Sequence, residues 1–69
     1  MKYNNLIKYN DAYVHLDFAN DDLDGYLCTD VKDKNYVFVD VPVNDNVIGT
    51  DYVEVKINVR KIKDLKEVD

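Results

Sequence analysis

The segment YVFVDVPV at residues 36–43 decides the expected fold, because valine occupies every second position in it. β-Branched side chains favour extended backbone, and a period of two places alternate residues on opposite faces of a strand. One face of this strand is therefore apolar, whereas Tyr36, Phe38 and Asp40 point the other way. Pro42 removes one backbone donor, so we expect it at an edge or a bulge.

Alternation of apolar and polar residues also predicts strands on both sides of this segment. The earlier strands cover residues 12–18 and 23–31, and a later strand covers residues 53–59. Apolar residues at a spacing of three indicate a short last strand, with a bend or a helical turn, over residues 62–68. The polar stretches between the strands predict turns or loops, which lie at residues 19–22, 32–35 and 44–49.

The first ten residues lack this alternation and predict one or two helical turns around Leu6, Ile7 and Tyr9. A helix this short is unstable alone, so we expect it to pack on the strands. The whole chain of 69 residues is expected to be a single domain, residues 1–69.

These elements predict a mainly β fold, in which a short N-terminal helix precedes five strands. Strands so few and so short favour a strongly bent antiparallel small barrel over a sandwich. The predicted core consists of apolar residues that share one strand parity: Val14, Leu16, Phe18, Leu27, Val37, Val39, Val53, Val55 and Ile57.

Charge restricts the functional classes. The chain has 14 acidic and 9 basic residues, which gives a formal net charge of -5. An acidic domain repels nucleic acid unless its basic residues are segregated, and here the basic residues partly crowd residues 56–66.

The cysteine count and the absence of long apolar runs indicate a cytoplasmic protein. Cys28 is the only cysteine, which excludes a disulfide within the chain and is typical of a reducing compartment. Cys28 and His15 cannot supply the four nitrogen and sulfur ligands of a structural zinc site. We find neither a signal peptide nor the ~20 apolar residues of a membrane span. Abundant Asn, Asp, Lys and Tyr are typical of AT-rich genomes, such as those of low-GC bacteria or their phages.

Two spaced motifs point to a known family. Gly25, Leu27 and Asn35 reproduce a Gly in strand two, an apolar residue two positions later and an Asn ten positions after the Gly. Residues 57–65 reproduce the length and apolar positions of a second motif at a strand junction. With the helix and five strands, the chain resembles the Sm-like (LSm) family, a branch of the SH3-like small barrels.

The resemblance implies a bent barrel, ring-forming subunits and an RNA-binding site. Asn58-Val59 stands where the family has an Arg-Gly pair that helps form a uridine pocket, and Asp30 is one residue out of register. The RNA contacts that the resemblance implies are therefore Asn35, with a weaker basic contribution from Arg60 and Lys61.

Two arrangements of residues resemble chemical sites. Residues 20–25 match the opening of a calcium loop, D-x-[DN]-x-[DN]-G with Asn first, but Val31 replaces the bidentate Glu at position twelve. An ordinary Asp-rich turn is the favoured interpretation, and we predict no metal or cofactor. His15 and Cys28 could be neighbours, yet no glycine-rich turn supplies an oxyanion hole. We therefore predict no enzymatic activity and expect both side chains to pack under the helix.

The second face of the strands carries aromatic residues interleaved with acids. A protein interface is predicted from five of its residues, which are Tyr26, Tyr36, Phe38, Tyr52 and Glu54. The alternative is that the bent barrel buries these rings.

The sequence therefore favours a non-enzymatic interaction module that self-associates and binds another protein, such as an accessory or phage-type regulator or inhibitor. We expect a homo-oligomer, in which Lys61 and Lys63 lie near acids such as Glu54 of the next copy. The alternative hypothesis is an Sm-like RNA binder that uses Asn35, Arg60 and Lys61.

Overall fold

The computed structural model describes residues 1–44 and 50–68, whose backbone forms a short helix and one five-stranded antiparallel sheet. The strand order is β4-β3-β2-β1-β5. The elements, in chain order, are α1 (Tyr3–Leu6), a 3-10 turn (Ile7–Tyr9), β1 (Tyr13–Phe18), β2 (Asp21–Cys28), β3 (Tyr36–Asn44), β4 (Thr50–Asn58), a 3-10 turn (Val59–Lys61) and β5 (Ile62–Glu67). The mainly β prediction is confirmed.

The β1–β2 hairpin is tighter than the sequence predicted. Phe18 pairs with Asp21, so the turn consists of Ala19 and Asn20, and Ala19 takes a left-handed backbone with φ of 51°. β2 also ends at Cys28 and does not continue to Val31. The predicted start of β2 at Leu23 was wrong because a two-residue turn already closes the hairpin at Asp21. The predicted end at Val31 was wrong for a separate reason, which lies in the N-terminal segment.

β2 ends where the N-terminal segment takes over its hydrogen bonds. The Thr29 N–H donates to Asn10 Oδ1 at 2.8 Å, and the Tyr3 hydroxyl donates to the Thr29 carbonyl. Leu6 of α1 is fully buried in the core. The expectation that this short helix packs on the strands is therefore confirmed.

The spacing of three in the last strand has a structural cause. Leu65 pairs with Leu16 and Ile62 pairs with Phe18, with a register shift between Asp17 and Phe18. The extra residue on β5 lets both Ile62 and Leu65 face the core, where they are buried. Of the two predicted alternatives, a bend or a helical turn, the described part of residues 62–68 shows this irregularity in the strand, and the 3-10 turn Val59–Lys61 precedes it at the end of the predicted fourth strand.

The parity argument finds most of the core. Val14, Leu16, Leu27, Val37, Val39 and Ile57 are buried, while Phe18 and Val55 pack against them partly buried. The predicted core omits four other buried residues, Leu6, Val59, Ile62 and Leu65. Val59 shares the parity of β4 but was not included, whereas Leu6, Ile62 and Leu65 lie in the helix and the irregular last strand, where this parity does not apply.

Val53 is the one predicted core residue that is wrong, since 53% of its surface is exposed. β3 and β4 pair from Tyr36–Asn58 to Asn44–Thr50, whereas the β2–β3 pairs end at Tyr26–Asp40. Beyond Asp40 the β3–β4 ribbon continues without β2, so its apolar side is covered only in part: Val41 still packs partly buried against the core, whereas Val53, opposite it, is exposed. Val43, also on that ribbon, is 43% exposed.

Pro42 lies on the same extension. It pairs with Tyr52 of β4, beyond the part of β3 that pairs with β2. This position agrees with the expected edge location. β3 itself ends at Asn44, and residues 45–49 of the predicted loop lie outside the described residues.

At Gly25 the backbones of β2 and β3 come close together, which is called the close crossing below. A Cβ on Gly25 would lie 2.6 Å from the Asp40 carbonyl oxygen and 2.6 Å from Val39 Cγ1. These distances are shorter than any ordinary contact, so a side chain here would push β2 and β3 apart. Steric necessity therefore accounts for a glycine in the middle of β2, where it is otherwise unfavourable.

The same Val→Ala substitution should affect the free energy of unfolding differently at a buried and at an exposed position. Val39→Ala should lower the free energy of unfolding by on the order of 1–3 kcal/mol, because Val39 is fully buried. Val53→Ala should change it by less than about 0.5 kcal/mol, because Val53 is exposed. Urea denaturation of both variants checks this, and equal losses would contradict the assignment.

Candidate functional site

The side of the sheet opposite the core, here called the outer face, carries a row of aromatic rings. Tyr13 pairs with Tyr26 across β1 and β2, and their ring centroids are 4.9 Å apart at an interplanar angle of 69°. Tyr26 and Tyr52 follow at 6.0 Å and 70°, reaching across β3. Both are edge-to-face contacts. Tyr13, Tyr26 and Tyr52 are named the tyrosine row.

The tyrosine row is open to solvent at its β4 end. Tyr26 is 41% exposed and Tyr52 is 53% exposed. Acids lie beside it, because Tyr26 pairs with half-buried Asp40, which in turn pairs with exposed Glu54. The outer face therefore presents stacked aromatic surface next to negative charge.

The other predicted interface residues lie further along the same face. Phe38 pairs with Cys28 and Lys56, and both Phe38 and Tyr36 are half-buried. The Lys56 ammonium lies 4.3 Å from the centroid of the Tyr36 ring. The structure thus brings Tyr26, Tyr52 and Glu54 together as an exposed group and leaves Tyr36 and Phe38 partly covered.

A second group on the outer face surrounds His15. His15 pairs with Asp24, and Asp17 pairs with Asp22, so four polar side chains project from adjacent positions of the β1–β2 hairpin. His15 Nδ1 lies 2.6 Å from Asp24 Oδ1, and His15 Nε2 lies 3.3 Å from Asp17 Oδ1 and 3.5 Å from Asp22 Oδ2. These residues, His15, Asp17, Asp22 and Asp24, are named the His15 cluster.

The hydrogen bond to Asp24 raises the pKa of His15 above its ordinary value of 6.5. The charges of Asp24, Asp17 and Asp22 act in the same direction, and partial burial opposes them. Across the sheet on β5, Lys66 pairs with His15 and Asp64 pairs with Asp17.

Residues 20–25 do not form a calcium loop in the structure, and His15 does not lie beside Cys28. Asp22 and Asp24 lie within β2, paired with β1, and do not form a loop that wraps a cation. His15 and Cys28 are separate, because Cys28 lies four positions, about 13 Å, along β2 from Asp24, the partner of His15. His15 also lies on the outer face and not under the helix, which corrects that expectation.

The sequence reasoning missed His15 and Asp17 as members of a cluster. A sequence hint existed, since H-x-D and D-x-D stand symmetrically about Ala19-Asn20. A two-residue turn at that point pairs residue 15 with 24 and residue 17 with 22. Placing the turn over residues 19–22 concealed this register.

The residues of the predicted RNA contact meet at one end of the sheet. The Val59 N–H donates to the Asn35 carbonyl at 2.9 Å, which places the residue before β3 beside the last turn. The side chain of Asn35 donates to Asp33 Oδ1 at 2.9 Å, and the Arg60 N–H donates to Asn58 Oδ1 at 2.9 Å. The two asparagine side chains therefore stabilise local turns.

A cavity of about 320 Å³ opens at this end. Aromatic, amide and basic side chains line it, among them Phe18, Tyr36, Lys56, Asn58 and Lys61. Another cavity, of about 420 Å³, lies beside α1, where Lys34 donates to the Val31 carbonyl at 2.9 Å and to the Tyr3 hydroxyl at 3.2 Å. These two hydrogen bonds link Lys34, in the segment before β3, to Tyr3 of α1.

Comparison with known proteins yields no match to a family model, to a curated protein or to a solved structure. Across residues 1–44 and 50–68, no helix is long and apolar enough to cross a membrane. The site must therefore be interpreted from its own geometry.

The pKa of His15 provides a test of the His15 cluster. A histidine whose pKa is raised by folding stabilises the folded state fully below about pH 6.5, and this contribution is lost as the pH rises through the raised value. NMR titration of the His15 ring, in buffer free of divalent ions, should give a pKa above 6.5. Asp24→Asn should move it back toward 6.5, whereas Asp30→Asn, at an exposed position outside the cluster, should leave it in place. A wild-type value at or below 6.5 would contradict the geometry.

Proposed function

We propose that this chain is a non-enzymatic interaction module, a small barrel of the Sm-like or SH3-like kind, that self-associates and binds another protein. An accessory or phage-type regulator or inhibitor would work in this way. The observation that carries the proposal is the tyrosine row, whose exposed rings lie beside the acids of the outer face.

The chemistry of this face defines the partner. Tyrosine is enriched at protein interfaces, because it offers a large rigid surface and a hydroxyl at little cost in conformational entropy. An arginine guanidinium can stack on Tyr26 or Tyr52 and pair with Glu54 at the same time. The net charge of -5 would also steer a basic partner toward the chain. We therefore propose a basic protein surface that presents arginine.

The barrel form belongs to the proposal and has support in the topology. β4 and β5 are the outer strands in the order, and only the turn Val59–Lys61 separates them in the chain. So short a connection keeps the two edges close at that end. Gly25 at the β2–β3 crossing and Asn35 beside the last turn support the resemblance, because these residues carry its first motif.

Two exposed parts of the sheet support self-association, namely its edge strands and the end of the β3–β4 ribbon. Among the described residues, β4 and β5 each pair on one side only, which leaves backbone groups free at both edges. Val43 and Val53 are exposed on the apolar side of the β3–β4 ribbon. We propose that β4 of one copy meets β5 of the next, a head-to-tail contact that closes into a ring.

RNA binding is the second candidate, and the cavity of about 320 Å³ favours it. Its lining joins Tyr36, which can stack on a base, to Lys56 and Lys61, which can contact phosphate. The acidic outer face and the local hydrogen bonds of Asn35 and Asn58 oppose it. Electrophoretic shifts with U-rich and A-rich RNA at two salt concentrations separate the candidates, because phosphate binding weakens steeply with salt.

The proposed protein interface predicts a selective loss of binding. Wild type, the double variant Tyr26→Ala/Tyr52→Ala and Ile7→Ala should be used as baits in the native host, followed by calorimetry with the purified partner. The double variant should bind about tenfold more weakly or worse, as expected for truncated interface tyrosines. Ile7→Ala is the matched control, since it removes an apolar side chain that is 47% exposed away from the outer face. Equal binding by all three proteins would exclude the tyrosine row as the interface.

The proposed ring predicts a salt-sensitive mass. Light scattering at micromolar concentration and low salt should give a multiple of 8.1 kDa, falling at high salt as the lysine–carboxylate contacts are screened. Lys63→Ala on β5 should weaken the assembly by removing a contact to Glu54 of the partner subunit, whereas Lys32→Ala should not. A mass near 8.1 kDa under all conditions would contradict self-association.

A further inference from the structure

The His15 cluster has ligand chemistry that the proposed protein interface does not use. Its four side chains come from two cross-strand pairs of one hairpin, His15 with Asp24 and Asp17 with Asp22. One ligand atom each from His15, Asp17 and Asp22 lies within 4.8 Å of the other two. One imidazole and two carboxylates thus converge on the outer face.

The hydrogen bond to Asp24 fixes the direction of the imidazole. A carboxylate only accepts hydrogen bonds, so His15 Nδ1–H must donate to Asp24 Oδ1 at 2.6 Å. Nε2 of the neutral ring then carries the lone pair, and it points toward Asp17 and Asp22. A carboxylate that orients a histidine in this way is a common support for a metal ligand.

We propose that the His15 cluster binds a divalent first-row transition-metal ion such as Zn²⁺. The ligands are His15 Nε2 and one carboxylate oxygen each from Asp17 and Asp22. Asp24 is a positioning residue, which acts through His15.

The distances agree with such an ion. Zinc binds nitrogen and oxygen at roughly 2.0–2.2 Å, so two ligands at a tetrahedral angle lie about 3.3–3.5 Å apart. His15 Nε2 lies 3.3 Å from Asp17 Oδ1 and 3.5 Å from Asp22 Oδ2. Small rotations of the Asp17 and Asp22 side chains would bring their carboxylate oxygens into coordination distance of one ion. These side chains are partly exposed, so they can rotate.

The charges around the site favour a cation. Asp17 has Asp22 directly opposite on β2 and Asp64 directly opposite on β5, and like charges in such pairs destabilise a sheet. Lys66 pairs with His15 on β5, and among the described residues it forms no ion pair with Asp17, Asp22 or Asp24. A divalent ion among the carboxylates would offset their repulsion.

This site differs from both metal sites considered in the sequence, the four-ligand zinc site and the calcium loop. The four-ligand zinc site was excluded by counting only thiol and imidazole groups, whereas carboxylates supply two of the three ligands here. The calcium loop placed its ligands at residues 20–25, whereas His15 and Asp17 lie on the neighbouring strand. Three protein ligands leave the remaining coordination to water, as in open zinc sites.

Calorimetry with Zn²⁺ alone, on the full metal-stripped chain at mildly alkaline pH, tests the proposal. Wild type should bind one ion per chain, and His15→Asn should abolish measurable binding. Asp24→Asn should weaken binding by about 10- to 100-fold, as expected when an orienting partner of a ligand is lost. Asp30→Asn is the matched control with the same charge change and should bind like wild type.

An NMR titration of wild type with Zn²⁺ gives a readout that does not depend on any variant folding. The His15 ring nitrogens should shift, with the larger change at Nε2. The proposal is overturned if Zn²⁺ leaves His15 unshifted, or if Asp17→Asn and Asp30→Asn weaken binding equally. It is also overturned if Ca²⁺ binds more tightly than Zn²⁺, since calcium avoids imidazole and would indicate an all-carboxylate site.

Discussion

The close crossing of β2 and β3 at Gly25 is the constraint on which the rest of the structure depends. A Cβ at this position would meet the Asp40 carbonyl oxygen and Val39 Cγ1 at 2.6 Å, so only the hydrogen of glycine fits between the strands. The crossing holds Leu27 and Val39 together in the core, where both are buried and paired. A chain of this size has few core residues to spare, so losing their contact would weaken the whole sheet.

The same crossing arranges the outer face. Gly25 lies between Asp24, which orients His15, and Tyr26, which stands in the middle of the tyrosine row. The contact between Tyr26 and Tyr52 reaches across β3, so it depends on how closely β2 approaches that strand. The proposed protein interface and the proposed metal site therefore meet as neighbouring rows on the β1–β2 hairpin, and the interface continues across β3 to Tyr52 of β4. Negative charge is common to both, which is why each proposal invokes a cationic ligand.

Local periodicity predicts the strands and much of the core, because the valine face of β3 and its neighbours keep one parity. The same argument fails at Val53, since parity shows which side a residue faces but not whether another strand covers that side. It also misses Leu6, Ile62 and Leu65, which reach the core through a helix and a register shift. The exposed tyrosines could be predicted as candidates from their face. The His15 cluster was missed although H-x-D and D-x-D stand symmetrically in the sequence, because its register depends on a turn of only Ala19 and Asn20, and the turn was placed over residues 19–22.

The free energy of unfolding of Gly25→Ala, measured by urea denaturation, tests this central constraint most directly, because its sign separates the two outcomes. Where space allows, replacing glycine by alanine stabilises a protein by about 0.4–1 kcal/mol through the unfolded state. At Gly25 the added methyl meets the backbone of Asp40, so the variant should be less stable than wild type by on the order of 1–3 kcal/mol. Unchanged or increased stability would contradict the close crossing, and with it the arrangement of the outer face derived from it.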